Sequence, residues 1–209
     1  MAQTVEALRR TSLVEAAVAE IGAIGTLDVT VAGIARRAGM SPALAHHYFG
    51  SKDRMLLAGM RHVLTVFGAE VRAALVRAEG PEARLEAIVR TSFAPGNFRP
   101  EVVAAWLNFY VHAQRDPGTR RLLAVYRGRL RSNLLHALRP LSDRPEELAE
   151  GIGAMIDGFY VRQALGAGAP ETAVALALDY ALGGRVVPSV PRASSPGAPR
   201  PREAGSDPM

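Results

Sequence analysis

The chain has 209 residues, a formal charge of +5 at neutral pH, no cysteine, and no uninterrupted run of about 18 apolar residues. Disulfide frameworks, zinc–thiolate sites and thiol catalysis are therefore excluded, and the first residues lack a signal peptide's hydrophobic core. The length suits one or two small domains with a real core, expected to be soluble and cytoplasmic.

Periodicity predicts a first helix from about Gln3 to Ile24, with Leu13, Ala17, Ile21 and Ile24 as its apolar stripe and Gly25 closing it. Two short helices follow. Thr30 suits an N-cap, and Val31, Ile34 and Ala35 share one face. Gly39 stands where a helix ends in a left-handed residue. Ser41 caps the next helix, with Pro42 in its first turn. That helix is expected to expose Pro42, Ala43, His46 and His47 and to turn Leu44 and Tyr48 or Phe49 inward. Two short helices around a glycine turn match the helix-turn-helix unit, whose second helix enters the DNA major groove. The alternative is an ordinary helical hairpin in an all-α domain.

Local charge favours the DNA reading. Lys52 is the only lysine of the chain, and Arg36, Arg37, Lys52 and Arg54 face Asp53 alone between Thr30 and Arg54. Phosphate binding needs such an excess. Arg9 and Arg10 on the first helix read either as solvated surface or as contacts to a flanking DNA backbone.

Ser51 caps a long fourth helix to about Ala78, carried by Leu56, Met60, Phe67, Val71 and Leu75, the natural lever between head and remainder. Gly80-Pro81 opens a fifth helix around Leu85, Ile88 and Val89. A turn at Ala94–Asn97 leads to a sixth, from about Glu101 to Gln114, and Asp116-Pro117-Gly118 breaks it. The seventh, about Thr119 to Arg139, carries five exposed-type arginines, read as a solvated face. The eighth runs from Pro145 to about Leu165, and its Gly151, Gly153, Ala154 and Gly158 invite close approach of another helix. The ninth, about Glu171 to Leu182, is almost uncharged and needs a covering surface, its own or a second subunit's. From Pro188 onward six prolines with Ser, Gly and Ala predict a disordered tail. The expected organisation is a DNA-binding head at 3–50, a helical ligand and dimerisation domain at 51–186, and the tail at 187–209.

Gly25, Thr30-x3-Ile34-Ala35-x2-Ala38-Gly39-Met40-Ser41, the pair Tyr48-Phe49 and Ser51-Lys52-Asp53-x2-Leu56 resemble the TetR family of bacterial transcriptional regulators. That resemblance implies an all-α, nine-helix homodimer on a pseudo-palindromic operator, with an inducer among helices five to seven and the last two helices at the dimer interface. His46 stands where many members carry a phosphate-touching tyrosine. The stretches Ala105-Trp106-Leu107-x-Phe109 and Ile156-Asp157-Gly158-Phe159-Tyr160-Val161-Arg162 further resemble the family's choline-responsive repressors of glycine betaine synthesis. There Tyr160 is usually tryptophan. The implied function is repression of choline uptake and oxidation genes, relieved by choline, in the cytoplasm and at the nucleoid on operator binding.

The expected DNA contacts are Thr30, Arg36, Arg37, Ser41, Pro42, Ala43, His46, His47, Tyr48 and Lys52, of which Thr30, Tyr48 and Lys52 are phosphate candidates that position without reading sequence. A quaternary ammonium is held by aromatic faces. Trp106, Phe109 and Tyr110 cluster on one helix, Phe159 and Tyr160 on another, and Asp157 offers a countercharge. Phe109 and Phe159 read more readily as core packing, whereas Trp106, Tyr110 and Tyr160, with polar handles, read equally either way. No metal, no cofactor and no catalytic residue is expected: the five histidines are scattered, and Gly166-x-Gly168 follows no strand. The rival is a repressor of another operon, such as drug efflux, that senses a different hydrophobic or cationic ligand. A DNA-packaging protein would need basicity spread over its surface.

Overall fold

A computed structural model describes residues 5–183. Among these residues the chain forms nine α-helices and no strand: α1 (Val5–Ile24), α2 (Val31–Arg37), α3 (Pro42–Phe49), α4 (Lys52–Arg77), α5 (Gly80–Ser92), α6 (Pro100–Ala113), α7 (Pro117–Leu138), α8 (Pro145–Ala164) and α9 (Pro170–Leu182). The all-α architecture is as expected. Gln3 and the proline-rich segment from Pro188 lie outside the described residues.

Side-chain caps set the helix starts. Thr30, Ser41, Ser51 and Asp116 accept hydrogen bonds from Gly33 N, Leu44 N, Arg54 N and Thr119 N, each satisfying a donor that the first turn leaves unpaired. Asp116-Pro117-Gly118 therefore opens α7 as well as ending α6: the proline and glycine lie inside the first turn, where a missing N–H is harmless. α2 ends in a Schellman turn. Met40 N donates to Ala35 O at 2.8 Å and Gly39 N to Arg36 O at 3.1 Å, with Gly39 at φ 67°.

One core runs through the molecule. α1 packs on α2, α4 and α6, so the first three helices rest on both the long helix and the bundle beyond it. Leu13, Ala17 and Ile21 are fully buried, but Ile24 is half exposed, because the stripe rotates off the core at the last turn. On α3, Ala45 is the buried residue, and Leu44, Tyr48 and Phe49 are only half-buried. A helix of eight residues laid across two others seals one small side chain and leaves larger ones at the rim. α9 buries Ala173, Val174, Ala177 and Leu178 against α5 and α8 of the same chain. The close approach foreseen on α8 is real at Gly151, which sits under the Tyr180 ring of α9. Gly153 and Gly158 have no neighbour within 4 Å of a Cβ position.

Candidate DNA-binding head and ligand site

The outer face of α3 carries Pro42, Ala43, His46 and His47, all exposed. They make up the face that the helix-turn-helix pattern expects to find exposed. Behind it the head is braced. Arg37 Nε donates to Glu20 Oε2 at 2.6 Å across α1 and α2, and the Glu20 side chain is only 11% exposed. Arg37, expected at the DNA, thus anchors α2, whereas Arg36 is exposed and makes no ion pair among the described residues. The same carboxylate explains Gly33: a Cβ there would lie 2.8 Å from Glu20 Oε1.

Two phosphate candidates are already engaged. The Thr30 hydroxyl accepts from Gly33 N, and Lys52 Nζ donates to Leu27 O at 3.2 Å. Lys52 retains two further N–H donors. Tyr48 is half-buried, with its ring edge-on to His47 at 5.5 Å. The Arg10 guanidinium lies over both Tyr48 and Phe49, 5.5 and 5.6 Å from the ring centres. It ties α1 to the end of α3 by cation–π contact. Of the two readings of Arg10, the structure adds a third element, an intramolecular partner.

The second site lies between α5, α6, α7 and α8. Trp106, 3% exposed, is flanked by Tyr126 at 4.8 Å, Tyr110 at 5.7 Å and Tyr160 at 6.3 Å. Tyr160 continues the cluster to Phe98 and Phe93, and Phe159 stands edge-on to Phe93 at 5.8 Å. Phe109 is 2% exposed and belongs to the core. Tyr126 and Arg127 on α7 are essential to this arrangement and were missed. Leu123, Tyr126, Leu130 and Leu134 keep helical spacing, a stripe that the surrounding arginines obscure.

Asp157 closes the cluster. The Tyr110 hydroxyl donates to Asp157 Oδ1 at 2.7 Å. Arg127 Nη2 reaches Asp157 Oδ2 at 3.5 Å, and its guanidinium sits 5.7 Å from the Tyr110 ring centre. Burial and then the Asp157 carboxylate push the Tyr110 phenol far up, so it stays neutral and donates. Burial does the same to Tyr126 and Tyr160, and Tyr160 donates to Ser92 O at 2.8 Å. Asp157 and Tyr126 line a cleft of about 280 Å³, and Tyr110 lines a neighbouring one. Among the described residues, no group of three or more His, Asp or Glu is placed to hold a metal ion.

A helix-turn-helix head, carried on a long helix and joined to a bundle with an aromatic, carboxylate-bearing cluster, defines a ligand-responsive DNA-binding regulator. Residues 13–58 match the family described as bacterial regulatory proteins, tetR family, and residues 81–183 match the BetI-type transcriptional repressor C-terminal family. The BetI regulator of Brucella anthropi is 55% identical over 179 residues, covering 84% of this chain and 92% of the relative. That of Rhizobium meliloti is 52% identical over 180 residues, covering 84% and 88%. The fold also matches a regulator from Saccharomonospora viridis solved in complex with choline, with TM-score 0.75 and 24% identity over 82% of this chain and 94% of that one. The chain belongs to the TetR family and, within it, to the BetI-type transcriptional repressors. Among the described residues no helix is long and apolar enough to cross a membrane.

Proposed function

We propose that this chain is a homodimeric repressor of genes for choline uptake and its oxidation to glycine betaine, and that choline releases it from its operator. The division into a head at 3–50, a ligand and dimerisation domain at 51–186 and a tail at 187–209 belongs to this reading. So does its work in the cytoplasm, at the nucleoid when operator-bound. The reading rests above all on the Trp106–Tyr110–Tyr126–Tyr160 cluster with Asp157 at its edge. A quaternary ammonium has no N–H to donate, so aromatic faces and a carboxylate are the groups that recognise it. Each cation–π contact contributes roughly 0.5–2 kcal/mol. The BetI names of the relatives and the choline in the Saccharomonospora viridis regulator support the same ligand.

Arg127 already occupies both features: the face of Tyr110 and an oxygen of Asp157. Choline would displace that guanidinium, move α7 relative to α8, and so bias α4, which packs on α7. A preference of about 1–3 kcal/mol for one conformation shifts operator affinity severalfold or more. In each head His46 and His47 face bases or phosphates, Ser41, Pro42 and Ala43 lead the helix into the groove, and Thr30, Arg36, Arg37, Tyr48 and Lys52 sit beside the backbone. The two heads would lie about 34–36 Å apart, one turn of DNA.

Calorimetric titration of the full chain with choline, set against a panel of hydrophobic drugs, tests the ligand. Saturable choline binding is expected, weakened at least tenfold by Asp157→Asn and tightened by Arg127→Gln. Choline binding that ignores both substitutions would remove this cluster from the site, and binding of drugs alone would favour an efflux-type sensor.

A further inference from the structure

A cleft that neither the DNA reading nor the choline reading uses lies between α4 and α7, with a volume of about 540 Å³. Its lining residues include three arginines, Arg61, Arg72 and Arg129, and no acidic group. All three are exposed, and none makes an ion pair among the described residues. Around them the wall is apolar: Leu64, Phe67, Val71, Leu122, Val125 and Leu130.

The helices fix where charge and tail would lie. A Cβ at Gly118 would touch Leu57 at 3.4 Å, and Phe67 meets the Tyr126 ring at 5.6 Å. Contact therefore advances along both chains together, and α4 and α7 run parallel. At 1.5 Å per residue, Arg72 lies about 7.5 Å beyond Phe67 and Arg129 about 4.5 Å beyond Tyr126, on the same side of the ring pair. Ser132 and Asn133 line the same end. Arg61 lies about 9 Å before Phe67. The cleft thus has a cationic, hydrogen-bonding end at Arg72 and Arg129, an apolar body about 10 Å long from Leu64 to Val71 beside α4, and Arg61 at its far end.

We propose that this cleft is a second effector site, for an amphipathic organic anion with a carboxylate or phosphate head between Arg72 and Arg129 and an alkyl or aryl tail along Phe67. Guanidinium groups prefer such heads and form paired hydrogen bonds with them. An apolar tail over an otherwise solvated wall adds affinity by taking apolar surface out of water. Tyr126 belongs both to this cleft and to the Trp106 cluster, so occupancy here acts on the same helix pair. The site stands without the choline reading, because its ligand has the opposite charge and its test contains no choline.

Calorimetric titration of the full chain with decanoate, decyl phosphate and neutral decanol decides it. At least one anion is expected to bind at micromolar concentration and at least tenfold tighter than decanol. The tighter anion identifies the head group. The double substitution Arg72→Ala and Arg129→Ala should weaken it at least tenfold with thermal unfolding unchanged. Gly68→Met keeps every charge but fills the cleft, since only the Arg72 guanidinium lies within 4 Å of a Cβ there, and it should weaken both anions. Equal binding of decanol, no heat from either anion, or an unaltered affinity in both variants would overturn the site.

Discussion

α4 has two dissimilar junctions. Towards the head it is close-packed: Gly59 lies under Val18 and the Val14 carbonyl of α1. α1 in turn is seated on α6, where Gly22 abuts Glu101 and Asn108 donates to Gly25 O at 3.0 Å. Farther along, against α7, the same helix borders an open cleft, and Gly68 meets only a flexible guanidinium. A joint at native packing density transmits displacement, because no space exists to absorb it. A roomy one lets two helices change spacing at little cost. The proposed lever calls for the first at the head and the second on the proposed ligand side.

The largest effect is expected at the tight junction. In Gly22→Val the new Cβ would lie 2.5 Å from the Glu101 Cα, a backbone atom that cannot swing aside. Overpacking should cost about 3 kcal/mol, a fall of roughly 6–12 °C in Tm for a chain of this size. Gly59→Ala, with Val18 at 3.5 Å, makes only ordinary contact and serves as the control. Equal melting of the two variants would mean that the α1–α6 seat yields, and the contrast would fail.

Next comes the aromatic cluster between the junctions. Tyr160→Phe keeps the ring contacts but leaves the Ser92 carbonyl without its hydroxyl donor, in a buried position. The loss should be about 1–2 kcal/mol by denaturant unfolding. A change under a few tenths would mean that water replaces the phenol and that the cluster is wetter than its burial implies.

At the open junction the sign reverses. Gly68→Ala has room for its methyl and removes backbone freedom from the unfolded chain, so it should stabilise by about 0.5–1 kcal/mol. Destabilisation there would show that α7 closes on α4 in solution.

These two halves of the molecule were not equally legible in the sequence. The head is written in local signals: caps at Thr30, Ser41 and Ser51, a left-handed Gly39, a proline at a first turn. Each acts within four residues, so spacing reveals it. Even there, the Arg37–Glu20 brace spans 17 positions, so spacing does not reveal it. The aromatic cluster is assembled across greater distances. Tyr110 and Asp157 are 47 residues apart, and Tyr160 and Ser92 are 68 apart. Trp106, Tyr110, Asp157 and Tyr160 were legible from family likeness and ring chemistry. Tyr126, Phe93 and Phe98 were not, because only tertiary packing brings them together. The α4–α7 cleft could not be read at all, since an arginine on a helix looks solvated until its neighbours are known.

The smallest expected effect concerns the closed end of that cleft, where Gly118 meets Leu57 and Asp116 caps α7. Asp116 Oδ2 accepts from Thr119 N at 2.5 Å, and this bond above all holds its carboxyl below the usual carboxylate range. A depressed folded-state pKa lends stability above the unfolded value and loses it as pH falls through the folded one. Asparagine caps a helix about as well but does not titrate. Asp116→Asn should therefore cost no more than about 0.5 kcal/mol near pH 7, the remainder being the lost charge at the helix dipole. Denaturant midpoints of the two proteins should converge as pH drops below the carboxylate range, with the native chain losing its advantage and the variant holding level. A gap that stays constant through acid would mean that the ionised cap contributes nothing, and that the Leu57 contact alone holds the start of α7 against the lever.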